Sequence, residues 1–151
     1  MSELLPPDAP SDILWSDARL LGHTELDRTH EEFYAVTFAL LTADGASALA
    51  AVKAFEHHAR AHFSMEERWM EETQFPPREC HADEHAAVLA SVRATVQALE
   101  QGKAGAELTQ RLAEQLFSWF PGHADYMDSA LVAWLSQRAH GGRPVVLRRT
   151  S

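Results

Sequence analysis

The sequence predicts an all-α protein, an antiparallel up-down four-helix bundle with an N-terminal extended arm. Three observations predict it. Four long segments repeat apolar residues at helical spacing, short turn signals separate them, and no segment alternates polar and apolar residues as a strand would. With 151 residues, 46% of them hydrophobic, the chain suits one core better than two small and marginal ones. The expected organisation is an extended arm over residues 1–14, the bundle over 15–140 and a tail over 141–151.

The elements follow in order. Pro6, Pro7 and Pro10 keep the arm extended, and Trp15 and Gly22 lead to Thr24, the expected N-cap of the first helix with Asp27 in the capping-box position. Leu26, Phe33, Phe38 and Leu41 form the apolar stripe of that helix, His30 falls on the stripe, and Ala43-Asp44-Gly45 ends it. The second helix begins at Ser47 and runs through Val52, Phe55, Phe63, Trp69 and Met70. It stops at Phe75-Pro76-Pro77, because proline has no amide hydrogen and its ring clashes with the preceding turn. The third starts near Arg78, buries Val88, Leu89, Val92, Val96 and Leu99, and closes at Gly102. The fourth spans Ala106 to about Arg138, with Leu112, Leu116, Trp119, Met127, Leu131 and Trp134 inward. Pro121 is expected to kink or restart it just before His123.

Charge and cysteine usage exclude several function classes. Thirteen Lys and Arg stand against 22 Asp and Glu, a net charge of -9. Nucleic acid is therefore not an expected partner, since phosphate binding needs a basic face and the only basic cluster is Arg143, Arg148 and Arg149. Cys80 stands alone, which rules out an internal disulfide and any Cys-rich zinc or iron–sulfur site. No apolar run reaches membrane-spanning or signal-peptide length, so the cytoplasm is the expected compartment.

Nine histidines are many for this length, and their spacing carries the chemistry. Four pieces stand out, one per helix: Asp27-Arg28-Thr29-His30, His62-Phe63-Ser64-Met65-Glu66-Glu67, His81-Ala82-Asp83-Glu84-His85, and His123 through Asp128. Residues four apart on a helix share a face, so His62 with Glu66, and His81 with His85, can each grip one metal centre. Imidazole suits iron, copper, nickel and zinc, whereas carboxylates shared between ions favour harder metals, so the mixture points to a dinuclear iron site. His123 and Asp128 are five apart, about 140° from each other on a regular helix. Three arrangements reconcile them: a disturbance at Pro121-Gly122, a local widening of the helix, or two irons approached from two sides.

These pieces resemble the hemerythrin family, most closely its single-domain bacterial members, over Trp15 to about Leu135. The match comprises Trp15 with Gly22, Asp27-x-x-His30, His62-Phe63-x-x-Glu66-Glu67 followed by Met70, Phe75-Pro76, His81-x3-His85, and Trp119-x3-His123-x4-Asp128. The resemblance implies that His81, His85 and His123 bind one iron, that His30 and His62 bind the other, and that Glu66 and Asp128 bridge the two with an oxo or hydroxo group. It also implies reversible dioxygen binding for storage, delivery or sensing, with nitric oxide and small anions as further ligands of the open iron position. Thr29 stands where many relatives carry Gln, Phe38 where many carry Asn, and Pro121-Gly122 is unusual ahead of a ligand.

Other residues admit two readings. Phe33, Met70, Trp119 and Leu131, with Trp69, either line a dioxygen pocket or are plain core. Asp27 and Glu67 either orient ligand histidines or serve as a helix cap and a solvated side chain. His57 and His58 flank His62 but lack a partner at the spacing of Glu66; His23 and His140 lie near element ends and are expected to be exposed. Cys80 precedes His81 and points about 100° away from it. The alternative function is a di-iron oxidase or peroxidase, or a nitric-oxide-handling enzyme, on the same site. Ferritin-like oxidases use two Glu-x-x-His elements, which this sequence lacks, so binding without turnover is favoured. Any protein partner is left unspecified.

Overall fold

A computed structural model of the chain describes residues 13–140. The arm over residues 1–12 and the tail over 141–151 lie outside the described residues, as does the side chain of His140. A 3-10 turn at Asp17–Arg19 precedes α1 (Thr24–Thr42), α2 (Ala48–Thr73), α3 (Arg78–Glu100) and α4 (Ala106–His123). The last helix then passes through a π turn at Ala124–Asp128 and continues as α5 (Ser129–His140). Helix α1 packs on α2, α2 on α3, α3 on α4, and α4 closes the bundle against α1.

Local chemistry sets each boundary. The cap of α1 is His23, one residue ahead of the expected Thr24: its extended backbone turns the ring so that Nδ1 accepts the amide of Leu26 at 3.2 Å. Asp27 then gathers the amides ahead of the helix, those of Leu21 at 2.7 Å, Gly22 at 3.1 Å and His23 at 3.2 Å. Gly22, at φ 91°, makes the bend that aims these amides at one carboxylate. His23 is consequently half-buried rather than exposed, with its ring 4.9 Å from that of Trp69.

Helix α2 ends where Gln74 adopts a left-handed conformation, φ 56° and ψ 45°, and the amide of Phe75 reaches back to the carbonyl of Met70 at 2.9 Å. The indole of Trp134 donates to Thr73 Oγ1 at 2.9 Å and ties α5 to this corner. Pro121 does not restart the fourth helix ahead of His123; it sits inside α4, and the π turn follows His123. There the amide of Ser129 bonds the carbonyl of Ala124, five residues back, so one extra residue is wound into the turn.

Two apolar clusters flank the polar centre. The larger joins Phe33, Tyr34, Phe55, Phe63, Phe117 and Phe120 with the aliphatic residues of α2, α3 and α4; the smaller joins Met70, Phe75 and Leu131. Burying a Phe or Leu side chain contributes roughly 1.5–3 kcal/mol, so these clusters hold the helices at the register that the polar centre needs. Among the described residues no helix is long and apolar enough to cross a membrane.

Gln74 is the one non-glycine residue with positive φ among those described. Gln74→Gly is expected to stabilise the fold by roughly 0.5–1 kcal/mol, because it removes a Cβ from a left-handed position and so raises the thermal midpoint. An unchanged or lower midpoint contradicts strain at this corner.

Candidate metal centre

All seven side chains that the resemblance implies as ligands converge in the bundle interior. His30 comes from α1, His62 and Glu66 from α2, His81 and His85 from α3, His123 from the end of α4, and Asp128 from the end of the π turn; all are buried. Their atoms form two groups, each within 4.8 Å: Glu66, His81, His85, His123 and Asp128 in one, and His30, His62 and Glu66 in the other.

The two carboxylates span these groups. Glu66 Oε1 lies 3.1 Å from His81 Nε2 and 3.5 Å from His85 Nε2, while its Oε2 meets His62 Nε2. Asp128 Oδ1 lies 3.0 Å from His81 Nε2 and 3.2 Å from His123 Nε2, while its Oδ2 lies 3.0 Å from His30 Nε2. Each carboxylate thus turns one oxygen to each half. The π turn makes this possible for Asp128: the extra residue brings positions 123 and 128 round to one side, so local widening is the arrangement realised.

The donor set fits a pair of cations. The Nε2 atoms of His30, His62, His81, His85 and His123, and both oxygens of Glu66 and of Asp128, are buried without a properly directed hydrogen-bond partner. Each such atom costs about 1–3 kcal/mol if it stays unsatisfied. Lone pairs aimed at common points and lacking donors are what a bound cation satisfies.

Electrostatics agree. Burial and the neighbouring Asp128 push Glu66 up, yet the imidazoles of His62 and His81 outweigh them and hold its carboxyl below the usual range. Burial likewise pushes Asp128 up, and His123, His30 and His81 hold it well below. Burial lowers His81, but Asp128 and Glu66 overcome this and raise it to about 9; His123 is raised against its burial by Asp128 and Glu84.

Two carboxylates at the bundle edge complete the arrangement. Glu67 Oε2 lies 2.9 Å from His85 Nδ1, so Glu67 orients a ring rather than merely meeting solvent. Glu84 Oε1 lies 2.8 Å from His123 Nδ1 and accepts the indole N–H of Trp119 at 3.2 Å. Sequence reasoning missed Glu84, whose partner is 39 residues away. The available signal was that a ligand histidine needs an acceptor for its second nitrogen. Asp27, in contrast, is a cap, and Thr29 is buried with its hydroxyl on the Glu25 carbonyl at 2.8 Å.

The remaining candidates separate. His58 Nε2 lies 3.5 Å from Glu32 Oε1, outside the seven-residue cluster, and Cys80 is exposed. Phe33 stacks on Phe120 with centroids 4.5 Å apart, and Phe120 meets His30 edge-on at 4.9 Å. Trp119 stacks on His123 at 4.4 Å. Met70 and Leu131 belong to the smaller apolar cluster, with Trp69 packed against it, while Phe33 and Trp119 belong to the larger one.

A helical bundle whose interior holds five imidazoles and two carboxylates with paired free valences defines a class, that of histidine–carboxylate cation-binding bundles. The sequence profile described as Hemerythrin HHE cation binding domain matches residues 21–135. A Bacteriohemerythrin of Ralstonia nicotianae is 37% identical over 131 residues, 87% of this chain and 94% of the relative. The chain belongs to the hemerythrin family. No solved structure gives a significant match.

Two predictions follow from register and charge. Deleting Tyr126, which is 81% exposed, leaves three residues between His123 and Asp128 and so puts them four apart, a spacing that a regular helix places on one face. This variant is expected to keep at least half of its bound metal, whereas an alanine inserted after Tyr126 removes most of it; metal analysis giving the opposite order refutes the register argument. The second concerns pH. A cation must displace the proton that His81 carries below about 9, so its uptake at pH 7 releases protons and tightens as the pH rises toward that value. In the cation-free protein the His81 pairing contributes fully below its ordinary 6.5 and is lost as the pH climbs through about 9. Zinc titrations at pH 6 to 9 that show equal affinity and no proton release contradict this.

Proposed function

We propose that this chain holds two iron ions and binds dioxygen reversibly, without turnover. The observation that supports the reading is the division of each carboxylate between a three-histidine half and a two-histidine half. His81, His85 and His123 with one oxygen each of Glu66 and Asp128 would hold one iron; His30 and His62 with the other two oxygens would hold the second. The first half offers five protein donors and the second four, so the second would keep more room for a small ligand. When bound, a ferrous pair supplies two electrons and that open position. Nitric oxide and small anions compete for the same place.

This chain's own residues favour carriage. Phe33 and Phe120 pack on the side of His30 and keep bulk water from the two-histidine half, which slows proton-driven loss of a bound ligand. Five imidazoles and only two carboxylates give iron less electron density than a carboxylate-rich oxidase site would. Hemerythrins are oxygen-binding proteins and not enzymes, and this chain is read in the same way. We place it in the cytoplasm, where a lone exposed thiol such as Cys80 stays reduced.

Protein from iron-replete cells is expected to carry two irons per chain; one zinc and no iron would sink the reading. The anaerobically reduced protein should gain a visible charge-transfer band in air and lose it under argon over repeated cycles. A band that decays once and does not return assigns the site to oxidase chemistry instead. His81→Ala should lose metal and stability together, since it leaves buried acids unpaired, while His57→Ala should lose neither.

A further inference from the structure

The two halves of the cluster differ in how firmly their rings are held before any cation arrives. His85 is fixed twice: Nδ1 bonds Glu67 at 2.9 Å, and its ring lies on Phe63 at 3.9 Å with 5° between planes. His123 is fixed twice as well, by Glu84 at 2.8 Å and by Trp119 stacked at 4.4 Å, and Trp119 is itself tied to the same Glu84 oxygen. Across the cluster, His62 Nδ1 is buried with no partner, and its ring meets Phe63, His30 and His58 tilted or edge-on at 5.2, 5.4 and 5.7 Å, while His30 meets Phe120 edge-on at 4.9 Å, so neither ring lies stacked on an aromatic face or bonded to a carboxylate through Nδ1 among the contacts described. His81 Nδ1 also lacks a partner, so the clamps belong to His85 and His123.

A carboxylate at Nδ1 forces the proton onto that nitrogen and leaves the Nε2 lone pair facing inward. A stacked aromatic face fixes the plane in which the lone pair lies. Donors already in place bind without the cost of ordering them. We propose that the chain loads its two cations in order, the first into the half of His81, His85 and His123, and that Glu67 and Glu84 are the positioning residues that set this order. The proposal rests on the dinuclear reading. Both carboxylates are 40% exposed, so solvent screens their charge and orientation is their main contribution.

The test is a calorimetric and visible-absorption titration of the metal-free, full-length protein with Co2+ under argon. Two steps of one ion each are expected, at least tenfold apart in affinity. His62→Ala should abolish the second step and keep the first. Glu84→Ala should weaken the first step by about 10–100-fold and change the second by less than about threefold. Glu84→Gln, which keeps an acceptor for the His123 and Trp119 hydrogens, should restore the first step to within about threefold of the parent. If Glu84→Ala fails to fold, judged by circular dichroism, Glu67→Ala carries the same comparison. Two ions taken up in one indistinguishable step, loss of the first step in His62→Ala, an unchanged first step in Glu84→Ala, or a Gln variant as weak as the Ala variant each overturn the proposal. A total of one Co2+ overturns the dinuclear reading itself, and the count reports that separately from the order.

Discussion

Glu66 and Asp128 are fully buried in an otherwise apolar bundle, and each places an oxygen within 3.1 Å of the same nitrogen of His81. Two carboxylates so close together repel, and burial removes the water that would screen them. They persist as charged groups because imidazoles surround them: His62 and His81 at Glu66, and His123, His30 and His81 at Asp128. The rest of the structure is arranged so that four helices deliver these seven side chains to one place. Metal-free, the centre balances its charges with protons on histidine; a cation takes over the same task and releases them.

Delivery depends on devices at the helix ends more than on propensity. Asp27 fixes the start of α1 by drawing in three backbone amides, so that His30, one turn further on, arrives at a set height. The left-handed residue Gln74 and the following prolines reverse the chain within four residues, which lets α3 begin at Arg78 and bring His81 back beside Glu66. On the last helix a single extra residue does the corresponding job for Asp128. Large aromatic residues then lock the helices, and Phe63 and Trp119 do so while touching ligand rings, so core packing and ring orientation are the same contact.

The helices were legible from short-range periodicity, and so were two pairs of the centre, because a spacing of four puts His62 with Glu66, and His81 with His85, on shared faces; His30, His123 and Asp128 joined them through the family resemblance. What was illegible depended on contacts between helices or on a non-α turn. The partnership of Glu84 with His123 and Trp119 joins α3 to α4 and leaves no mark in local spacing. The five-residue interval from His123 to Asp128 did announce an irregularity, but Pro121 drew attention to the wrong side of His123. A proline near the end of α4 loses only one backbone bond, and the helix absorbs it; the π turn lies where Asp128 must come round. The cap at His23 was missed because an imidazole nitrogen is a rarer acceptor at that position than the hydroxyl of Thr24.

The inequality between the two halves follows from this geometry rather than being added to it. Helix α3 contributes two histidines four residues apart, and α4 with its π turn contributes a third together with Asp128, so three nitrogens converge where α3 meets α4. Helices α1 and α2 contribute one histidine each to the opposite side. Beside the buried half with three histidines stand Glu67 and Glu84, long carboxylates that reach inward to the Nδ1 atoms of His85 and His123 while keeping contact with water. The half of His30 and His62 instead borders Phe33 and Phe120. A bundle built this way therefore has one side with three histidines, two of them braced by half-exposed carboxylates, and one side with two histidines beside aromatic packing.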